Sequence, residues 1–317
     1  MLLLRKRKIG HKFSMESDDE DVNFYINRGG FPIQQEYWHK LWKHTKRHHS
    51  AKGEEAENQI RGNRSLSKVP VPIAPTITPG MTTEERIICI QNYISDLHYN
   101  FTGLQFFEIK KSRPMSGLME IAKDMIKESL PIKCLEAVIL SIYFTCGLEG
   151  LDRFPISFKS CFNSHHHRHV VLGIHYSGRY GALGLSRRRT LMYKPLIYRS
   201  LMDLIQQYKT SYEECYHELE KVKIGLPVDH SVHSCEPIKW KHVAINYKKS
   251  STDNVRKALE KFSKQIKTKM YSEIKIATSS KSQKSPYGSS QNHNSSETKA
   301  TNKNKTKKQP VLYQIKI

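Results

Sequence analysis

One stretch constrains this chain more than any other. Pro131-Ile132-Lys133-Cys134-Leu135-Glu136-Ala137 opens a helix that continues almost wholly apolar through 138–144, and a helix without a broad polar face has to lie inside a core. A second buried element follows in Arg168-His169-Val170-Val171-Leu172-Gly173-Ile174, whose β-branched run reads as a strand with His169 at its start. The glycine-rich stretch Ser177-Gly178-Arg179-Tyr180-Gly181-Ala182-Leu183-Gly184-Leu185-Ser186 looks like a hairpin returning the chain beside that strand. Helical spacing surrounds these elements. It recurs in Tyr37, Trp38, Leu41 and Trp42; across 83–97 behind a capping box of Thr82 and Glu85; across 118–126; from 198 to about 222; and in a basic amphipathic stretch carrying Val255, Leu259, Phe262 and Ile266. Helices flanking a sheet in this order place the fold in the α+β class.

The same constraining stretch carries the chemistry. Pro131 suits the first turn of a helix, so Cys134 is expected in that turn, among backbone N–H groups with no intrahelical acceptor. The positive end of the helix dipole and the neighbouring Lys133 favour a thiolate there, the form of cysteine that attacks carbonyls. A lone cysteine among Leu, Val and Ile is ordinarily just a small core hydrophobe, so a nucleophile reading needs a base, and His169 supplies one. A third group must orient the imidazole, yet between Val170 and Met202 the chain has no Asp, Glu, Asn or Gln. Ser186, at the end of the expected hairpin, is the best placed, through its hydroxyl or its backbone carbonyl.

With these residues in hand the chain resembles the vasohibins, transglutaminase-like cysteine proteases that remove the C-terminal tyrosine of α-tubulin. The resemblance rests on Tyr99-Asn100-Phe101-Thr102-Gly103, on Gln105-Phe106-Phe107-Glu108-Ile109-Lys110-Lys111-Ser112-Arg113-Pro114, on the Cys134 segment, on Arg153-Phe154-Pro155-Ile156-Ser157-Phe158-Lys159, and on 178–188 with Leu191-Met192-Tyr193-Lys194-Pro195. It implies a transglutaminase-like, papain-like catalytic core behind an N-terminal helical region, with Cys134 as nucleophile, His169 as base and then acid, and Ser186 as third member. It also implies that Tyr99, Lys133 and Arg187 line a pocket for the terminal tyrosine, with Lys110, Lys111, Lys159 and Arg168 as a basic rim for the preceding glutamates. The physical argument agrees, because reading a free α-carboxylate takes fixed cations, and Lys133 and Arg187 each adjoin a proposed catalytic residue. The resemblance further implies a helical partner, the small vasohibin-binding protein, on the N-terminal region. Two other classes stay open: a non-catalytic basic protein binding microtubules or nucleic acid on a protease-like fold, and a transglutaminase-type acyl transferase.

Charge favours an acidic partner. Lys and Arg number 52 against 30 for Asp and Glu, and 17 of the former but only 4 of the latter fall in 248–317, so more than half of the +22 net charge lies in that segment. Such a tail binds polyanions through counterion release, and the tubulin reading directs it to microtubules rather than nucleic acid. With 38% hydrophobic residues over 317, the chain divides into a disordered lead (1–28), the helical region (29–115), the catalytic domain (116–272) and a disordered basic tail (273–317). The proline-rich 68–75 reads as a stiff extended connector. Met1-Leu2-Leu3-Leu4 is too short for a signal peptide, and no stretch is apolar enough to span a bilayer, so the expected location is cytoplasmic and cytoskeletal, with secretion by an unconventional route left open. Cys89, Cys146, Cys161, Cys215 and Cys235 form no C-x-x-C pair, and His165-His166-His167 matches no common metal spacing; no metal or cofactor is expected.

Overall fold

A computed structural model describes residues 25–48, 52–67 and 69–281, with side chains of the last helix described to Ile266. Of the disorder expected for 273–317 and for the lead, the parts beyond residue 281 and before residue 25 therefore lie outside the described residues. In chain order the elements are β1 (Tyr25–Ile26), α1 (Gln35–His48), α2 (Gly53–Gly62), α3 (Thr83–Asp96), β2 (Leu104–Gln105), α4 (Met115–Glu128), α5 (Cys134–Thr145), β3 (Asp152–Phe162), β4 (His165–Tyr176) and β5 (Arg179–Leu183). A single 3-10 turn at Arg189–Leu191 leads into β6 (Lys194–Tyr198), α6 (Leu201–Glu214), β7 (Glu218–Ile224), β8 (Val243–Asn246) and α7 (Thr252–Lys281). The α+β class expected from the sequence holds.

Six strands form one sheet in the order β6-β5-β4-β3-β7-β8, every neighbouring pair antiparallel. Two tight turns build its centre. Asn163–Ser164 and Ser177–Gly178 hold both central residues at positive φ, which matches the right-handed twist of the strands they join. Because side chains alternate across a strand, β4 sends Val170, Leu172 and Ile174 into one buried cluster with α3, α4 and α5, and Val171 into another with Phe154, Ile156, Phe158, α6 and α7. The sheet is thus packed on both faces. Gly173 is required at the crowded centre, since a Cβ there would come within 2.6 Å of the Ile156 and Phe154 side chains.

The apolar helix is α5, and all but its last turn is buried. Its two ends are held by buried charge. At the C-terminal end Arg153, fully buried, donates to the carbonyls of Ile142 (3.0 Å), Val228 (3.2 Å) and Asp229 (2.7 Å), tying the helix to the strap that follows β7. Losing the guanidinium would strand these acceptors at about 1–3 kcal/mol each. At the other end Lys133 is the N-cap and Cys134 the first helical residue.

Three expectations on elements need correction. The helix starts at Cys134 rather than Pro131, because Ile132 pairs with Tyr99 in a parallel bridge, accepting from Asn100 N–H and donating to the His98 carbonyl. The segment expected as one helix from 198 to about 222 is α6 followed by β7: Tyr216, at φ 62°, stops the helix, and Leu219, Val222 and Ile224 then face the second cluster. His169 sits inside an 11-to-12-residue strand pair rather than at a strand start. The capping box at Thr82 and Glu85 forms as expected, and α7 buries Val255, Leu259, Phe262 and Ile266. That helix also runs past residue 272, where no Pro or Gly interrupts the sequence. The 69–75 connector carries neither helix nor strand, with Ile73 88% exposed.

Candidate active site

The sheet is incomplete where the site forms. The β4–β5 pairing ends at Leu172 with Leu183, so at His169 the strand has lost its neighbour on that side. Into this gap comes the loop 184–191, whose Leu191 carbonyl meets His169, while α5 packs on both β4 and β5. The loop is pinned at its start, where the Gln91 amide of α3 donates to the Gly184 carbonyl (3.0 Å) and accepts from the Gly184 N–H (3.1 Å).

Each end of the loop touches one half of the candidate site. At one end the Arg187 guanidinium lies 5.6 Å from the centre of the Tyr99 ring, and Lys133 Nζ lies 5.9 Å from the same centre. Two cations therefore converge on one aromatic ring, and one of them directly precedes Cys134, which is only 6% exposed. At the other end the Leu191 carbonyl lies 2.8 Å from His169 Nε2. A carbonyl can only accept, so Nε2 carries the proton and Nδ1 is the basic nitrogen. His169 is itself buried, its ring stacked on Phe158 at 6.3 Å and 19°. The Tyr208 hydroxyl, from α6, donates to the Met192 carbonyl (2.7 Å) and so fixes the chain beside Leu191.

This arrangement brings a main-chain group beside the imidazole. Ser186 Oγ accepts from the Arg188 N–H at 3.3 Å, and the group hydrogen-bonded to the imidazole is the carbonyl of Leu191, a residue the sequence reading did not single out. A main-chain carbonyl has no side-chain signature, and no residue type announces it. Ser186→Ala should accordingly lower kcat/KM by less than about tenfold, measured as tyrosine release from an acidic peptide. A loss as deep as that of a Cys134 variant would return the serine hydroxyl to the catalytic set.

The expected basic rim separates into parts. Lys159 and Arg168 are cross-strand partners on β3 and β4. Lys110 pairs with Glu108 (3.6 Å), and Lys111 Nζ lies 5.5 Å from the Trp240 ring centre while its carbonyl accepts from the Trp240 indole N–H. Lys159 is held by Glu220 at 2.9 Å, whose other oxygen takes Lys248 at 2.8 Å. Those two ammonium groups, Lys248 foremost, hold the Glu220 carboxyl down at about 2. Cys161, His166 and Glu220 bring one ligand-type atom each within 4.8 Å of one another. With both oxygens of Glu220 already paired to lysines, this is an ion-pair node, unfavourable for a further cation. A histidine the sequence reading passed over, His44 of α1, joins the tyrosine corner: its ring packs on Gly103, and its pKa is lowered by burial and by the positive charges of His48, Lys133, Arg47 and Arg187.

A family model for Vasohibin matches residues 22–267. A mouse protein named Tubulinyl-Tyr carboxypeptidase 1 is 49% identical over 252 residues, covering 80% of this chain and 67% of its own. The chain belongs to the vasohibin family. Tyr99, Lys133, Cys134, His169, Arg187 and Leu191 of this vasohibin all lie within the matched span, which takes in every described element except the last turns of α7. Among the described residues no helix is long and apolar enough to cross a membrane.

Proposed function

We propose that this vasohibin is a thiol carboxypeptidase that removes the C-terminal tyrosine of α-tubulin on a transglutaminase-like core. The observation carrying this reading is the pair of cations, Lys133 and Arg187, gathered on Tyr99 beside a buried cysteine at a helix start. An aromatic side wall with two fixed positive charges suits a terminal residue that is itself aromatic and carries a free carboxylate. The similarity to the mouse carboxypeptidase supports the same substrate.

In this reading Cys134 gives its proton to Nδ1 of His169, and Sγ attacks the last peptide carbonyl. The backbone N–H of Cys134, in the first turn of the helix, faces the developing oxyanion. His169 returns the proton to the leaving tyrosine amine, and water, activated by the same ring, hydrolyses the thioester. The Leu191 carbonyl keeps Nε2–H fixed, so the basic nitrogen stays toward the thiol, as the carboxylate does in a Ser-His-Asp triad. Lys159 and Arg168 receive the acidic residues upstream, and the helical region 29–115 receives the small vasohibin-binding protein. The catalytic domain spans 116–272 in this scheme.

Mass spectrometry of an acidic α-tubulin tail peptide, incubated with the chain and its small helical partner, tests this reading. Release of one tyrosine supports it. Incorporation of an added amine without tyrosine release would point to acyl transfer, and an unchanged peptide to a binding protein. Removing 279–308 should weaken microtubule association at low salt, with a difference that shrinks as salt rises, and should leave cleavage of the short peptide in place. Loss of peptide cleavage on that deletion would place the tail in the catalytic machinery.

A further inference from the structure

Glu136 stands two residues after Cys134, in the first turn of α5, and is fully buried. Its Oε2 accepts from the Lys133 N–H, so the carboxyl folds back over the helix start. The Phe107 N–H is also directed at it, which joins the catalytic helix to the segment leading to Lys110 and Lys111. Its Oε1 is buried without a hydrogen bond of ordinary geometry. A carboxylate in that state is costly, whereas a carboxylic acid at the same position leaves the helix start free to favour another anion.

We propose that Glu136 is a positioning residue that governs the ionisation of Cys134: its carboxyl leaves the helix start to the thiolate while protonated and opposes the thiolate once ionised. This rests on Cys134 being the nucleophile. Burial pushes the Glu136 carboxyl up to about 7, against the pull of the Lys133 and Phe107 N–H groups and the Lys133 charge. Above that pH a second negative charge shares the helix tip with the thiolate and opposes it; below it, the tip serves the thiolate alone. The other groups acting on this corner are Lys133 on the helix itself, His169 from β4, Arg187 from the 184–191 loop and His44 from α1. The faces of α3 and α4 packed on α5 bring chiefly Ile87, Ile90, Ile94, Leu118 and Met119, with Tyr93 against the far end at Phe144.

Glutamine at 136 keeps an oxygen to accept the Lys133 N–H and removes the charge. Iodoacetamide labelling of Cys134 across pH, read peptide by peptide by mass spectrometry to separate it from the other cysteines, should have its midpoint about one unit lower in Glu136→Gln than in wild type. An unchanged midpoint would overturn the inference while leaving the carboxypeptidase reading intact; that reading falls instead if labelled Cys134 still supports tyrosine release. The linkage gives a second readout. A carboxyl raised when folded contributes stability below its unfolded pKa, near 4.5, and loses it as pH climbs through about 7. The melting temperature of Glu136→Gln relative to wild type should therefore rise across that interval, and a flat difference would contradict the proposal. Should the variant not fold, carbon-detected NMR of glutamate-labelled wild-type protein decides: one carboxyl titrating near 7 is expected, and none above about 5 would overturn it.

Discussion

Cys134→Ala removes tyrosine release from an α-tubulin tail peptide by at least about a thousandfold, the loss typical of deleting a covalent nucleophile. The variant should fold, because Cys134 is the first residue of α5 and its side chain contributes little of the core that α5 buries through Ala137, Val138, Ile139, Leu140 and Ile142. Microtubule association should persist, since it draws on surface charge rather than on the thiol. The measurement is a paired one, product formation by mass spectrometry and co-sedimentation with microtubules on the same preparation. Residual release within tenfold of wild type would remove Cys134 from the chemistry and place the nucleophile elsewhere.

Arg187→Glu and Lys133→Glu form the second large expectation. Each replaces one of the two cations gathered at Tyr99 by a charge of the wrong sign, and like charge next to a substrate carboxylate costs several kcal/mol in a partly desolvated site. We expect kcat/KM to fall by about a hundredfold or more for either reversal. Reversal of Lys248, which holds Glu220 at the far side of the sheet, should cost less than about tenfold. Equal losses for all three would mean that net charge, and not a carboxylate-reading pocket, controls the reaction. A peptide whose C-terminus is amidated should lose little further rate in the Arg187 and Lys133 variants, because the charge they read is already gone.

The sequence revealed what side-chain type can encode. An apolar run bounded by a proline and a lysine disclosed the buried helix and its cysteine, and a β-branched run after a histidine disclosed the strand carrying His169. The Thr82 and Glu85 pair marked a helix start correctly because that signal is local. The misses were of two physical kinds. Tertiary pairing overrode local preference when Ile132 joined Tyr99 in a bridge, which moved the helix start to Cys134 and placed the thiol closer to the helix tip than proline alone suggested. Backbone contacts were invisible: Leu191 meets His169 through a carbonyl, and the missing β5 partner beside His169 leaves the space that carbonyl occupies. Glu136 was plain in the sequence but drew no reading, since nothing local reveals that its carboxyl has no solvent.

The lysines illustrate the difference between composition and geometry. Lys110, Lys111 and Lys159 were one basic rim by sequence, yet each has its own structural engagement, with Glu108, Trp240 and Glu220 in turn. Their contribution to an acidic substrate is therefore an exchange of partners, which lowers their net worth, whereas the Tyr99 corner is organised around two cations from different segments.

The central claim is that this site reads a free C-terminal carboxylate and cleaves the bond before it. Two peptides of identical α-tubulin tail sequence, one ending in a free acid and one in an amide, are incubated in one tube with the chain and its small helical partner. Mass spectrometry should find the free-acid peptide shortened by a single tyrosine and the amide nearly untouched. Equal shortening of both, or cleavage at an internal bond, would contradict the account.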